Sequence, residues 1–305
     1  MTLPYNFDGK HNERVQRAAL ITGETITVVV GGGGDDRETA CSFAVHRTLI
    51  CAFSPFFAAA CRGPWKENRS GVVALPEQDP ATFELYVKWL YTGELLDFFW
   101  GAAGSSGNDN HDNNNHDDNN KGSTDIVTSS NSSKGAEDEG QAGKKAEDDV
   151  AVVVEDPMHT AYTTFACAYF LGDALLDAAF KNVVVDAIIK RVRETDHYPC
   201  ALAALIYKNT PGGESRLRRL LVDFYAYAHD DGWFVGSDTA LDMDDAPREF
   251  FRDVLLKMIW IKEFAHGWAE YPWVCDPCRY HEHPSGFSCP DALQNKPKED
   301  VDKTQ

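Results

Sequence analysis

β-branched runs in the first part of the chain give way to helical spacing near residue 46. The segment "TITVVV" at 25–30 is almost wholly β-branched, "GGGGDD" at 31–36 is typical of a turn, and "TACSFAV" at 39–45 fits a returning strand. Together these segments predict a β-hairpin.

The stretch "HRTLICAFSPFFAAA" at 46–60 predicts two short helices rather than one. Its apolar residues fall on one helical face: Leu49, Phe53, Phe56, Phe57 and Ala60. Proline disfavours helical geometry at the residue before it, whereas serine is a good N-cap and proline a good first helical residue. Ser54 and Pro55 therefore end one helix and begin the next, at a corner.

Another strand and further helices follow along the chain. The segment "VVALP" at 72–76 predicts the strand, and Asp79 before Pro80 repeats the cap-and-proline pattern ahead of a helix that Gly93 closes. After residue 158 the spacing is helical throughout. We interpret its apolar stripes as core: Tyr162, Phe165, Tyr169, Phe170, Val184, Ile188, Val192, Leu217, Leu220, Leu221, Phe224, Phe250, Val254, Leu255 and Met258.

Composition separates one segment from the rest of the chain. Residues 101–157 are rich in Asn, Asp, Gly and Ser and carry 13 acidic against 4 basic residues. Such a segment buries too little apolar surface to offset its conformational entropy, so we expect a disordered insertion.

The remaining composition is that of a globular protein. The chain has 305 residues, 43% of them hydrophobic, and a formal net charge of -19. That charge repels phosphate backbones, so we expect no direct nucleic-acid binding. The first residues lack a basic, apolar leader and no segment is apolar enough to span a bilayer. We therefore expect a soluble intracellular protein without a membrane partner, located in the cytoplasm, the nucleus or both.

A family resemblance rests on four parts of the sequence: the predicted hairpin, "FAVHRTLICAFSPFF" at 43–57, "VVALPEQDPATFELYVKWLYTGEL" at 72–95 and "YFLGDALLDAAFKNVVVDAI" at 169–188. Together they resemble the BTB/POZ family, in particular its fungal members. The resemblance implies an α+β fold, in which a small sheet is capped by short helices and followed by a helical C-terminal region. It divides the chain into an N-terminal segment (1–23), a first BTB part (24–100), the insertion (101–157), closing BTB helices (158–194), a helical region (195–270) and a Cys/His tail (271–305).

The resemblance also implies structural roles. Phe43 would pack in the sheet, and His46 would open the helical hairpin as a partly buried residue hydrogen-bonded to backbone. Ser54 and Asp79 are structural as helix caps, as their position before a proline indicates. The alternative, in which His46 contacts a partner, stays open. Thr25 stands where the resemblance leads one to expect an aspartate near a homodimer interface.

Protein partners follow from the same resemblance, because BTB surfaces bind a second copy of the domain, a cullin scaffold of a ubiquitin ligase, or transcriptional regulators. The segment "PWKEN" at 64–68 is similar to the apolar-x-Glu element of cullin-binding members, with Trp65 as the apolar anchor and Glu67 as the acid. The alternative is a capped turn in which Trp65 covers the core.

No enzyme motif occurs in the sequence: it contains no G-x-S-x-G elbow, no H-E-x-x-H and no dinucleotide fingerprint. We therefore expect a non-catalytic BTB adaptor that dimerises, recruits a partner or both, with a cullin-type ubiquitin ligase as one destination. The alternative is a nuclear transcriptional regulator with a zinc-stabilised tail.

The tail segment "CDPCRYHEHPSGFSC" carries the most distinctive chemistry. Its candidate ligands are Cys275, Cys278, His281, His283 and Cys289. Zinc prefers thiolate and imidazole, and a C-x2-C turn lets both sulfurs face one ion. The spacing differs from that of a DNA-reading finger. A structural zinc ion is thus the only cofactor expected; the open alternative is a strap packed through Tyr280 and Phe287.

Three arginines lie together on the polar side of one predicted helix. Arg216, Arg218 and Arg219 fit either contact with an acidic partner or a solvated helix face.

Overall fold

The structure is a computed structural model that describes residues 9–33, 40–62, 66–95, 157–199, 201–210, 212, 215–228, 233, 245–264, 270–283 and 289. By contacts, the chain divides into a unit made of Met1–Phe98 with Glu155–Gln305 and a second unit, Phe99–Val154. All described residues belong to the first unit. Apart from Pro157, the predicted insertion lies outside the described residues.

The described strands form a three-stranded sheet in the order β2-β1-β3. β1 (Thr25–Val30) pairs antiparallel with β2 (Cys41–His46), which confirms the predicted hairpin, and in parallel with β3 (Val72–Leu75). Side chains alternate along a strand, so Ile26, Val28 and Val30 all lie on the buried face of β1.

Short helices cover this sheet, with the predicted corner between the first two after the hairpin. α2 (Arg47–Phe53) and α3 (Pro55–Ala60) meet at Ser54, whose Oγ accepts the Phe57 N–H at 3.2 Å. α4 (Lys66–Ser70) precedes β3, and α5 (Pro80–Thr92) follows it. As predicted, the Asp79 carboxylate caps α5, and Gly93, with φ of 80°, ends that helix in the left-handed region.

The helix α1 (Gly9–Leu20), to which the sequence interpretation assigned no element, packs on α2 and α5. Its Arg17 is buried, and Nη1 donates to the carbonyls of Trp89 at 3.1 Å and Leu90 at 2.9 Å. The guanidinium also lies over the Phe53 ring, 4.2 Å from its centroid. These contacts stabilise a buried charge that no local pattern marks.

Two long helices beyond the insertion return to the first part of the chain. These are α6 (Pro157–Ala174), which packs on α5, and α7 (Ala178–Thr195). The Ser54 hydroxyl donates to the Leu175 carbonyl at 2.7 Å, so the corner of α2 and α3 is tied to the end of α6. The α+β arrangement expected from the sequence is confirmed.

The C-terminal region is helical and has an aromatic core. It contains α8 (Ala203–Asn209), α9 (Arg216–Ala228), α10 (Arg248–Phe264), α11 (Pro272–Cys275) and a 3-10 helix over Pro277–Tyr280. Phe224 of α9 packs edge-on against Trp273 at a centroid distance of 4.8 Å, and both are fully buried. Within the described part of the chain, no helix is long and apolar enough to cross a bilayer.

The interpretation of the α10 stripe as core is wrong for two of its residues. Phe250 and Val254 are buried against α9, whereas Leu255 and Met258 are exposed. Apolar residues surround α10 on most sides, so the helical period could not decide which side would face the core.

Arg219 of α9 is exposed, as expected for a solvated helix face, whereas Arg216 and Arg218 are half-buried. Arg216 and Arg219 donate to the Arg279 carbonyl at 3.3 Å and 3.2 Å. Arg218 donates to the Thr210 hydroxyl at 2.6 Å and lies over the Tyr207 ring. These side chains bind the chain's own carbonyl and hydroxyl oxygens and join α9 to α8 and to the tail.

Candidate functional site

Two cysteines and two histidines of the tail converge at one point. One ligand atom from each of Cys278, His281, His283 and Cys289 lies within 4.8 Å of all the others. Cys278 is the second residue of the 3-10 helix Pro277–Tyr280, and the backbone becomes extended at His281, directly after that helix. Both imidazoles, of His281 and His283, lie near the Cys278 sulfur. Cys289 supplies the fourth ligand atom.

The contacts identify the atom that each residue presents. Cys278 Sγ is 3.3 Å from His283 Nε2, and Cys289 Sγ is 3.2 Å from the same nitrogen and 3.0 Å from His281 Nδ1. A tetrahedral zinc ion with bonds of ~2.0–2.3 Å spaces its ligand atoms roughly 3.3–3.8 Å apart. The observed separations, from 3.0 Å to the 4.8 Å limit, bracket that spacing.

The Asp186 carboxylate of α7 contacts the outer nitrogen of one of these histidines. Its Oδ1 is 2.9 Å from His281 Nε2, so the ring presents Nδ1 to the cluster while Nε2 bonds the acid. Carboxylates in this position orient a ligating imidazole and increase its basicity. Asp186 is 95 residues from His281 in the sequence, and no local pattern marks it as part of the site.

A neighbouring set of polar contacts holds the same stretch of tail against α7 and α9. The Asn182 side chain pairs with the backbone of Glu282 in both directions, at 2.7 Å and 3.0 Å. Lys181 Nζ lies 2.6 Å from the Glu282 carboxylate. The Tyr280 hydroxyl donates to buried Asp223 at 2.7 Å. The cluster is therefore built on a docked segment.

The position of Cys275 corrects the C-x2-C interpretation. This residue ends α11, is exposed, and its Sγ is 3.5 Å from Glu270 Oε2, outside the cluster. Partial desolvation and the nearby Glu270 carboxylate raise the pKa of the Cys275 thiol, which disfavours the thiolate that a metal requires. The turn between Cys275 and Cys278 separates the two sulfurs.

The chemistry of the cluster suits a borderline-soft divalent ion. Desolvation, with smaller effects from His281 and Arg216, lowers the pKa of His283, which favours the neutral imidazole that binds metals. Two sulfurs and two nitrogens complete a tetrahedral set and leave no open position, as in structural zinc sites. The residues present therefore fit zinc.

The residues expected to be structural lie in the first part of the fold. His46 ends β2, and its Nδ1 is 2.7 Å from the Tyr91 hydroxyl, which also accepts the His46 backbone N–H at 3.2 Å. The partner of the imidazole is thus a side chain of α5 rather than backbone. Phe43 packs edge-on against Phe83 at 5.1 Å, and Thr25 is exposed opposite His46.

The candidate cullin contact is only partly described. Trp65 lies outside the described residues, and Glu67 is half-buried in the first turn of α4. The cullin contact and the capped turn therefore both stay predictions for the "PWKEN" element.

Comparison with known families identifies the class of the first part of the fold. The model of the BTB/POZ domain matches residues 25–100, which span the sheet, α2 to α5 and the corner at Ser54. A search among curated proteins found no match to the chain. The structure is thus a BTB/POZ domain with a small three-stranded sheet and short helices, followed by a helical C-terminal region. BTB/POZ domains are in general protein-interaction modules rather than enzymes.

Proposed function

We propose that this protein is a non-catalytic adaptor that uses its BTB/POZ domain to bind a second copy of itself, another protein or both. The observation that carries the proposal is the BTB/POZ match over residues 25–100. The domain is completed by α6 and α7 across the insertion. The bonds from Ser54 to Leu175 and from Tyr86 to Asp177 support this, because both join the two sequence segments through buried groups.

A cullin scaffold is the partner that the "PWKEN" element favours. Full-length protein should capture a cullin N-terminal region, and Trp65→Ala with Glu67→Ala should abolish capture, since an aromatic anchor typically contributes ~2 kcal/mol or more. Arg69→Ala, an exposed change on the same helix, is the matched control and should capture normally. Failure of the unmutated protein to capture any cullin would remove the ligase role, while its native mass would still report dimerisation.

The tail holds a structural zinc ion through Cys278, His281, His283 and Cys289. The convergence of these ligand atoms supports this function, and the ion would supply folding energy to a segment with little core of its own. Purified protein should contain about one equivalent of zinc by elemental analysis. Cys278→Ser should lose the zinc, whereas Cys275→Ser should keep it, because its sulfur lies outside the cluster. If the unmutated protein contains no zinc, the tail is only a strap packed against the helices.

A further inference from the structure

Helix α10 has an apolar outer face that is exposed to solvent within the part of the chain that the structure describes. Phe250 and Val254 face α9 and are buried, while on the outer side Leu256 is 59% exposed and Ile259 53% exposed. A surface helix with one buried stripe ordinarily carries polar residues on the other side. Contiguous exposed apolar residues on a folded domain mark an interaction surface.

The outer face has one continuous ridge of four residues. Arg252, Leu256, Ile259 and Glu263 follow each other at intervals of four, three and four, which places them in line along one side of the helix. The ridge therefore has an apolar centre between Arg252 at its N-terminal end and Glu263 at its C-terminal end. The Arg252 guanidinium also contacts Asp253 Oδ1 of the same helix at 3.0 Å, an exposed pair that contributes little and can exchange for another carboxylate. All four side chains are exposed.

This spacing is unchanged when the ridge is reversed. When two such helices lie antiparallel, Arg252 of each copy faces Glu263 of the other, and Leu256 faces Ile259. A parallel pair would instead place Arg252 against Arg252 and Glu263 against Glu263. The ridge is therefore self-complementary about a twofold axis, which is the property of an isologous interface.

We propose that α10 is a homodimerisation helix, pairing antiparallel with α10 of a second copy of this chain through Arg252, Leu256, Ile259 and Glu263. The occupant is a second copy rather than an unrelated protein because the charges at the two ends of the ridge match each other on reversal. This interface is separate from the BTB/POZ domain, since α10 lies beyond residues 25–100.

Charge reversal in the full-length protein tests the pairing, with native mass by light scattering as the readout. Arg252→Glu or Glu263→Arg alone places like charges together twice in each dimer and should weaken α10 association by about tenfold. The double variant, or an equimolar mixture of the two single variants, should restore it. Ile259→Glu, at the apolar centre, should abolish it, and Arg193→Glu on the exposed side of α7 should have no effect.

Each outcome separates this inference from the BTB dimer. The antiparallel pair is supported if each single charge variant loses association through α10 and the equimolar mixture of the two regains it. Loss without restoration means that a different surface meets the ridge and overturns the proposal. A dimer mass that responds to none of these changes, Ile259→Glu included, also overturns it and leaves dimerisation to the BTB/POZ domain.

Discussion

The Tyr86 hydroxyl on α5 donates a 2.9 Å hydrogen bond to Asp177 Oδ2, which lies 91 residues further along the chain. The same carboxylate caps α7 by accepting the Phe180 N–H at 3.0 Å, and Asp177 is 1% exposed. One buried acid thus begins the last helix of the proposed BTB domain and joins it to the helix before the insertion.

Asp177 should make stability depend on pH in a defined direction. Burial raises its pKa from 3.8 to about 6, against the opposing effect of the bonds from Phe180 and Tyr86. A folded-state pKa above the unfolded one means that the folded protein binds the extra proton between these values. The resulting stabilisation is complete below about pH 4 and is lost as pH rises through about 6, and it amounts to about 3 kcal/mol.

Asp177→Asn removes this titration while keeping an oxygen that can cap α7. Denaturant unfolding of both proteins between pH 4 and pH 7 should show the wild type gaining up to about 3 kcal/mol relative to the variant as pH falls. A difference in unfolding free energy that does not change with pH would contradict the raised pKa.

His46 is expected to act as scaffolding through Tyr91. His46→Ala and Tyr91→Phe should each lower the free energy of unfolding by about 1 kcal/mol, since each leaves a part-buried polar group without its partner. A double-mutant cycle should show coupling of about 0.5 kcal/mol or more between them. If partner capture vanishes in His46→Ala while its melting curve is unchanged, the histidine is a contact residue.

Residues 102–155 should be dispensable for folding. Their composition predicts disorder, and loop-closure entropy changes only by about 0.6 kcal/mol per doubling of length. The bonds that join the two flanking segments, from Ser54 to Leu175 and from Tyr86 to Asp177, lie outside the segment. Replacing it with a short Gly/Ser linker should leave the melting temperature nearly unchanged; a large drop would show that the segment contributes to the folded core.

Asp186 should tune the zinc affinity without being a ligand. Asp186→Asn weakens the bond to His281 Nε2, so the affinity measured by chelator competition should fall by about 10- to 100-fold. Asp196→Asn is a suitable control, because Asp196 caps the end of the same helix in the left-handed region, which asparagine tolerates. Equal zinc affinity in the two variants would show that the Asp186 contact does not support the ion.

Much of the first half of the fold could be predicted because its signals are local. A run of β-branched residues, a turn and a returning strand define the hairpin, and Ser54 and Asp79 satisfy N–H groups only three residues away. The cysteines and histidines of the tail are likewise close enough in sequence for a shared ion to be predicted. Such features need no knowledge of the rest of the molecule.

The tertiary structure alone decided which groups meet across long separations. It selected Cys278 over Cys275, brought Asp186 to His281, and buried Arg17 beneath carbonyls of α5. It also decided which side of α10 faces α9 and which stays exposed. Periodicity and capping report only on neighbours within a turn or two, whereas these contacts depend on where separate helices pack, and that is set by the burial of the whole core.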